Sequence, residues 1–113
     1  MRFNDYGINQ ICEQVKAKWP YLRVANSTTN TYDGSNFDNP LITIPLTSAS
    51  VTDNVITLEY RLSVLDINGE TVNMAGLAKE YAGTAVESCE YFEDILKDDL
   101  TQYKFVYKVN LLR

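Results

Sequence analysis

Between residues 56 and 64 an apolar side chain stands at every second position. Ile56, Leu58, Tyr60, Leu62 and Val64 are separated by Thr57, Glu59, Arg61 and Ser63. A period of two is that of a β-strand with one face buried, so this stretch predicts the strongest strand in the chain. YKFVYKVNLLR at the C-terminus repeats the pattern, with Phe105, Tyr107, Val109 and Leu111 alternating against Val106, Lys108 and Asn110. Near the beginning the period changes. Ile8, Ile11, Cys12, Val15 and Trp19 follow the i, i+3, i+4, i+7 spacing of a helix face, with Asn4 or Asp5 as its cap. Pro20 stops that helix and pushes Trp19 out of the helical region, so Tyr21 to Val24 leave in an extended form. In LITIPL, Ile42, Ile44 and Leu46 share one side of a further strand, and Pro45 marks an edge or a bend.

The segment GTAVESCEYFEDILKDDL, residues 83–100, predicts a second helix. Ala85, Cys89, Phe92 and Leu96 fall at i, i+4, i+7 and i+11 with Ile95 beside them, and Thr84 followed by Glu87 has the form of a capping box. Its carboxylates lie largely off that stripe, on a solvated flank rather than across a cleft from one another. Asp98 and Asp99 would oppose the helix dipole at its C-terminal end, where lysines of the next strand can offset them. Residues 26–40, NSTTNTYDGSNFDNP, are polar apart from Tyr32 and Phe37, with Asp33-Gly34 as a favourable turn. They form either a long loop or a projecting hairpin. TSASVTDN reads as a second polar spacer, and Asn68-Gly69 as a turn. VNMAGLAKEYA stays open between a loop and a short helix broken by Gly76. The sum is one domain over residues 1–113 of the α+β class: a small antiparallel sheet, an N-terminal helix, and a second amphipathic helix packed on the same face.

Composition removes several kinds of chemistry. The chain has no histidine, which takes away the commonest base for an activated Ser, Thr or Cys nucleophile. Its five glycines form neither a P-loop nor a GxGxxG. The net charge of -5 is unsuited to gripping phosphates, a mode that needs clustered Lys and Arg. Two cysteines cannot fill an all-cysteine zinc site, and Cys12 and Cys89 are expected as free thiols on apolar helix faces. Asp33, Asn36, Asp38 and Asn39 gather oxygen ligands in the loop, but their spacing misses the calcium-loop pattern. No stretch approaches the ~20 apolar residues that cross a bilayer. The expectation is a protein of a cytosol, without cofactor or metal, that is not an enzyme.

One resemblance gives this description a setting. The order helix, loop, strand, strand, connection, helix, strand, with Leu65-Asp66, Asn73 and Asp94-Ile95-Leu96-Lys97-Asp98 in place, resembles the tail-terminator or tail-completion proteins of tailed bacteriophages, among them phages of gut Bacteroidetes. It covers roughly residues 55 to 112. The resemblance implies a structural subunit of the virion, assembled in the host bacterial cytoplasm into a homo-oligomeric ring at the head–tail junction. Its partners would be portal, neck or tail proteins, and DNA would pass through without being bound specifically. In such a ring each subunit uses two different surfaces. Glu90, Glu93, Asp94 and Asp98 are the expected acidic surface, facing Lys104, Lys108 or Arg113 of a neighbour, with Tyr32 and Phe37 on a reaching arm. The alternative is a small acidic monomeric adaptor or binding module.

Overall fold

The computed structural model describes residues 4–111. Helix α1, Asp5–Lys18, opens at Asn4, whose side-chain oxygen accepts from the Gly7 N–H at 2.8 Å. Asp5 in its first turn and Lys16 and Lys18 in its last suit the helix dipole, and Trp19 closes it before Pro20. Everything regular after that is strand: β1 Tyr21–Ala25, β2 Ile42–Thr52, β3 Val55–Leu62, β4 Thr71–Ala78, β5 Glu90–Leu96 and β6 Tyr103–Asn110.

The six strands form one sheet in the order β5-β4-β1-β2-β3-β6, antiparallel at every junction. The sheet curls into a half-barrel. Asp53 and Asn54, both at positive φ, make the tight β2–β3 turn, because that backbone matches the twist of the strands it joins. The polar run TSASVT therefore lengthens β2 instead of leaving it.

The inner face carries the main core. Leu22, Val24, Ile44, Ile56, Leu58, Tyr60, Leu62, Val72 and Leu77 are buried there against Cys12, Ile11 and Val15 of α1 and the capping Trp19. The curl brings the inner side chains of the two outermost strands together: Phe92 of β5 meets Phe105 of β6 with ring centroids 5.7 Å apart. The Tyr107 hydroxyl of β6 donates to Glu90 of β5 at 2.9 Å. The backbones of β5 and β6 do not pair, so side chains alone bridge this seam. A smaller cluster, Ala25, Phe37, Met74 and Val86, lies beneath the loops 26–40 and 79–89, which hydrogen-bond to each other through Phe37 N–H to Thr84 O and Val86 N–H to Ser35 O.

The fold class read from the sequence is corrected by this architecture. The chain is mostly β with one helix, not a two-helix α+β arrangement. The expected second helix is a loop followed by β5. Thr84 does not cap anything helical: its hydroxyl donates to Asn36, and Glu87 accepts from the Trp19 indole instead of reaching back to residue 84. The undecided segment after Val72 is β4, paired on both sides by β1 and β5.

Candidate assembly surfaces

Two loops cross one end of the half-barrel. Residues 63–70 join β3 to β4, and residues 97–102 join β5 to β6. They are locked together by backbone bonds from Gly69 N–H to Lys97 O at 2.7 Å and from Lys97 N–H to Glu70 O at 2.9 Å. Lys97 completes the lock. Its side chain is fully buried, and its ammonium donates to Asn68 Oδ1 at 2.9 Å and to Asp98 O at 2.7 Å. An ammonium out of water needs such partners, and each bond to it is stronger than a neutral one. Asp66 and Asp98 tighten the loops from within: Asp66 accepts from Ser63 N–H, and Asp98 from Leu100 N–H and the Thr101 hydroxyl. Those bonds, the Thr101 hydroxyl first, hold the Asp98 carboxyl below its ordinary range.

What the locked loops present outward is apolar. Leu65 and Leu100 are each 85% exposed, Leu96 63% and Val64 40%. Single exposed leucines are ordinary; here Val64, Leu65 and Leu100 stand exposed on two interlocked loops, with Leu96 at the end of β5 beside them in the chain. Around them stand the carboxylates of Asp66, Glu70, Asp98 and Asp99, and the one cation of these loops, Lys97, is buried inside. This end is an apolar patch in an acidic rim.

The outer side of β3 and β6 has the opposite character. With their inner residues in the core, β6 turns Lys104, Val106 and Lys108 outward and β3 turns out Glu59 and Arg61. Val106 is 44% exposed between the two lysines. Glu59 accepts from Arg61 at 3.2 Å and pairs with Lys104 at 3.4 Å, which leaves the face net positive. Where this face meets the loop end, Arg61, Gln102, Tyr103 and Lys104 line a hollow of about 200 Å³.

The residues singled out in the sequence are distributed differently from the expected single flank. Glu90 sits at the seam with Tyr107; Asp94 accepts from Asn73 at 2.9 Å; Asp98 belongs to the loop end; Glu93 stands exposed on β5. Tyr32 and Phe37 bridge each other and stack edge to face at 5.8 Å, with Phe37 fully buried, so the loop 26–40 lies folded on the sheet. Lys104 and Lys108 share the basic face, and Arg113 lies outside the described residues. The oxygen-rich loop residues serve the loop's own turns: Asp33 accepts from Ser35 and Asn36 N–H, and Asp38 from Thr31 N–H. Among the described residues no group of three or more His, Cys, Asp or Glu is placed to hold a metal. Leu96, expected on the buried stripe of a helix, ends β5 with its side chain in water; Leu65 and Leu100 were not read as surface residues, because no periodicity announces the loops that expose them.

Arg23 anchors the opposite flank. On β1 it is buried at 1% exposure, and its guanidinium donates to Thr43 Oγ1 at 2.9 Å and to the carbonyls of Glu80, Tyr81 and Ala82 at 2.8, 3.2 and 2.8 Å. It ties the strap 79–87 to the sheet. Burial lowers its pKa. Beside it Lys79, Thr84 and Glu87 line a cleft of about 310 Å³.

No family model, no curated protein and no solved structure matches the chain.

Proposed function

We propose that this chain is a structural subunit that assembles with copies of itself into a ring, and that the ring belongs to the head–tail junction of a tailed bacteriophage. The observation that carries the reading is the loop end, where a buried lysine holds two loops rigid while their leucines stay in water. A protein that worked alone would gain by burying or replacing those leucines; an assembling subunit needs them where they are. Assembly requires matching surfaces and no reacting group. A net charge of -5 also suits a subunit past which DNA slides, because it does not draw phosphates in. With the second helix gone, support for the junction passes from element order to these surfaces. The loop that carries Leu65-Asp66 is bonded through Asn68, Gly69 and Glu70 to Lys97, which with Asp98 ends the 94–98 segment of the resemblance.

Light scattering across a concentration series in low salt tests the reading. A particle of six subunits, or a larger closed number, is the expected outcome. A monomer at every concentration would overturn it in favour of the monomeric adaptor.

A further inference from the structure

We infer that the partner of the loop end is the basic face of a second copy: the leucine patch of one subunit packs over Val106 of the next, between Lys104 and Lys108. This contact rests on the assembly reading above and names the two surfaces that would build it. Charge complementarity chooses the occupant. The loop end exposes Glu70 and Asp99, with Asp66 and Asp98 accepting from donors of their own loops, and buries its one lysine, while the face turns out Arg61, Lys104 and Lys108 against Glu59 alone. Loop end against loop end sets acid on acid, and face against face sets base on base, both of which repel. Only the crossed pairing attracts. Each surface also has an exposed apolar centre, Leu65 and Leu100 on one and Val106 on the other, so charge orients a contact that apolar burial holds. The hollow between Arg61 and Lys104 is of a size to receive a carboxylate side chain from the acidic rim.

The seam between β5 and β6 is a poorer contact. The two edges carry opposite charge, but Phe92, Phe105, Glu90 and Tyr107 already fill the space between them. A neighbour's strand would have to displace those side chains. The loop end and the outer face are open without any rearrangement.

A charge exchange tests the contact. One variant carries Glu70→Lys and Asp99→Lys, whose side chains make no hydrogen bond or ion pair among the described residues. The other carries Lys104→Glu and Lys108→Glu on the exposed face. The first variant cancels the charge of the loop end and removes the attraction, and the second sets acid on acid, so each alone is expected to assemble more weakly by light scattering than the wild type under the same conditions; an equimolar mixture, in which the reversed side chains of the two variants face each other, moves the mass back towards that of the wild type. Leu65→Ser with Leu100→Ser, at unchanged charge, should raise the concentration at half-assembly at least about tenfold, because burial of even one leucine is worth that much. Single variants that assemble normally, or a mixture no heavier than its components alone, would overturn this contact while leaving the assembly reading intact. A wild type that never assembles overturns both. A mixture and a wild type that stop at two copies would keep the contact and remove the ring.

Discussion

Replacing Arg23 by methionine keeps most of the apolar stem and deletes the guanidinium, which leaves Thr43 and the carbonyls of Glu80, Tyr81 and Ala82 without their donor. Hydrogen bonds to a charged group are worth about 1.5–3 kcal/mol each, so four of them amount to roughly 6–12 kcal/mol gross. Against this stands the desolvation of the guanidinium, several kcal/mol, which methionine does not carry. The difference leaves a net loss of about 3 kcal/mol, a large part of the ~5–15 kcal/mol that holds a domain of this size. Urea unfolding should register it as a lower midpoint, and a thermal scan as a fall of about 10 °C or more. The single tryptophan gives a local reporter, since the Trp19 indole donates to Glu87 on the strap at 2.8 Å. Amide exchange across residues 79–87 should accelerate well beyond that of β3. Arg23→Lys is expected to recover only part of the loss, because a point charge cannot serve several carbonyls as a planar fork does. If Arg23→Met unfolds within about 0.5 kcal/mol of the wild type and the strap amides stay protected, the clamp does not hold the strap and the reasoning fails.

Three further outcomes follow from the packing. Gly76→Ala should cost about 3 kcal/mol or more by chemical denaturation, because its new methyl group would collide with the Ser88 carbonyl and press on Val86, and backbone cannot step aside as a side chain can; an unchanged midpoint would show that β4 and the 86–88 segment are looser than described. Burial raises the phenols of Tyr60 and Tyr107 far above the ordinary value near 10, with the Glu90 charge adding to the shift for Tyr107. Their contribution to stability is complete below about pH 10 and is lost as pH climbs beyond it, so absorbance at pH 11 should fall short of the unfolded chain's by at least two of its eight tyrosines, and unfolding should release them together. Tyr107→Phe removes the seam's only hydrogen bond among the described residues and should cost about 1 kcal/mol by urea unfolding, with faster exchange in β5 than in β1.

Where one face is buried and the other wet, the chain announces itself: β3 and β6 alternate cleanly, and α1 shows its stripe, its cap and its proline stop. β4 was hidden because both its faces are covered, Val72 and Leu77 by the main core and Met74 by the smaller cluster, so no alternation survives. β5 was hidden by an irregularity. The pairing with β4 shifts between Val72 and Met74, so Phe92 and Ile95 both reach the core although three positions apart, and a bulged strand imitates a helix wheel. The capping box of Thr84 and Glu87 strengthened the imitation, since both side chains find partners remote in sequence, Asn36 and Trp19. The acidic and basic residues of the candidate surfaces were visible one by one; which of them share a surface depends on loops brought together by Lys97, a lysine that composition would place in water.

The strand order also sets the timetable by which the chain must fold. α1 and the β1, β2 and β3 strands neighbour one another in sequence, but β1 waits for β4, some fifty residues on, and β3 waits for β6, from its Leu62 to Tyr103 and beyond. Until then a nascent chain carries two naked strand edges at once, one on each side of its first three strands. Distant pairings of this kind make folding slow, on the order of milliseconds to seconds. A chain released before residue 103 would keep the β3 edge open, with its inner row from Ile56 to Leu62 uncovered by β6, and should accumulate as aggregate rather than as a smaller folded core.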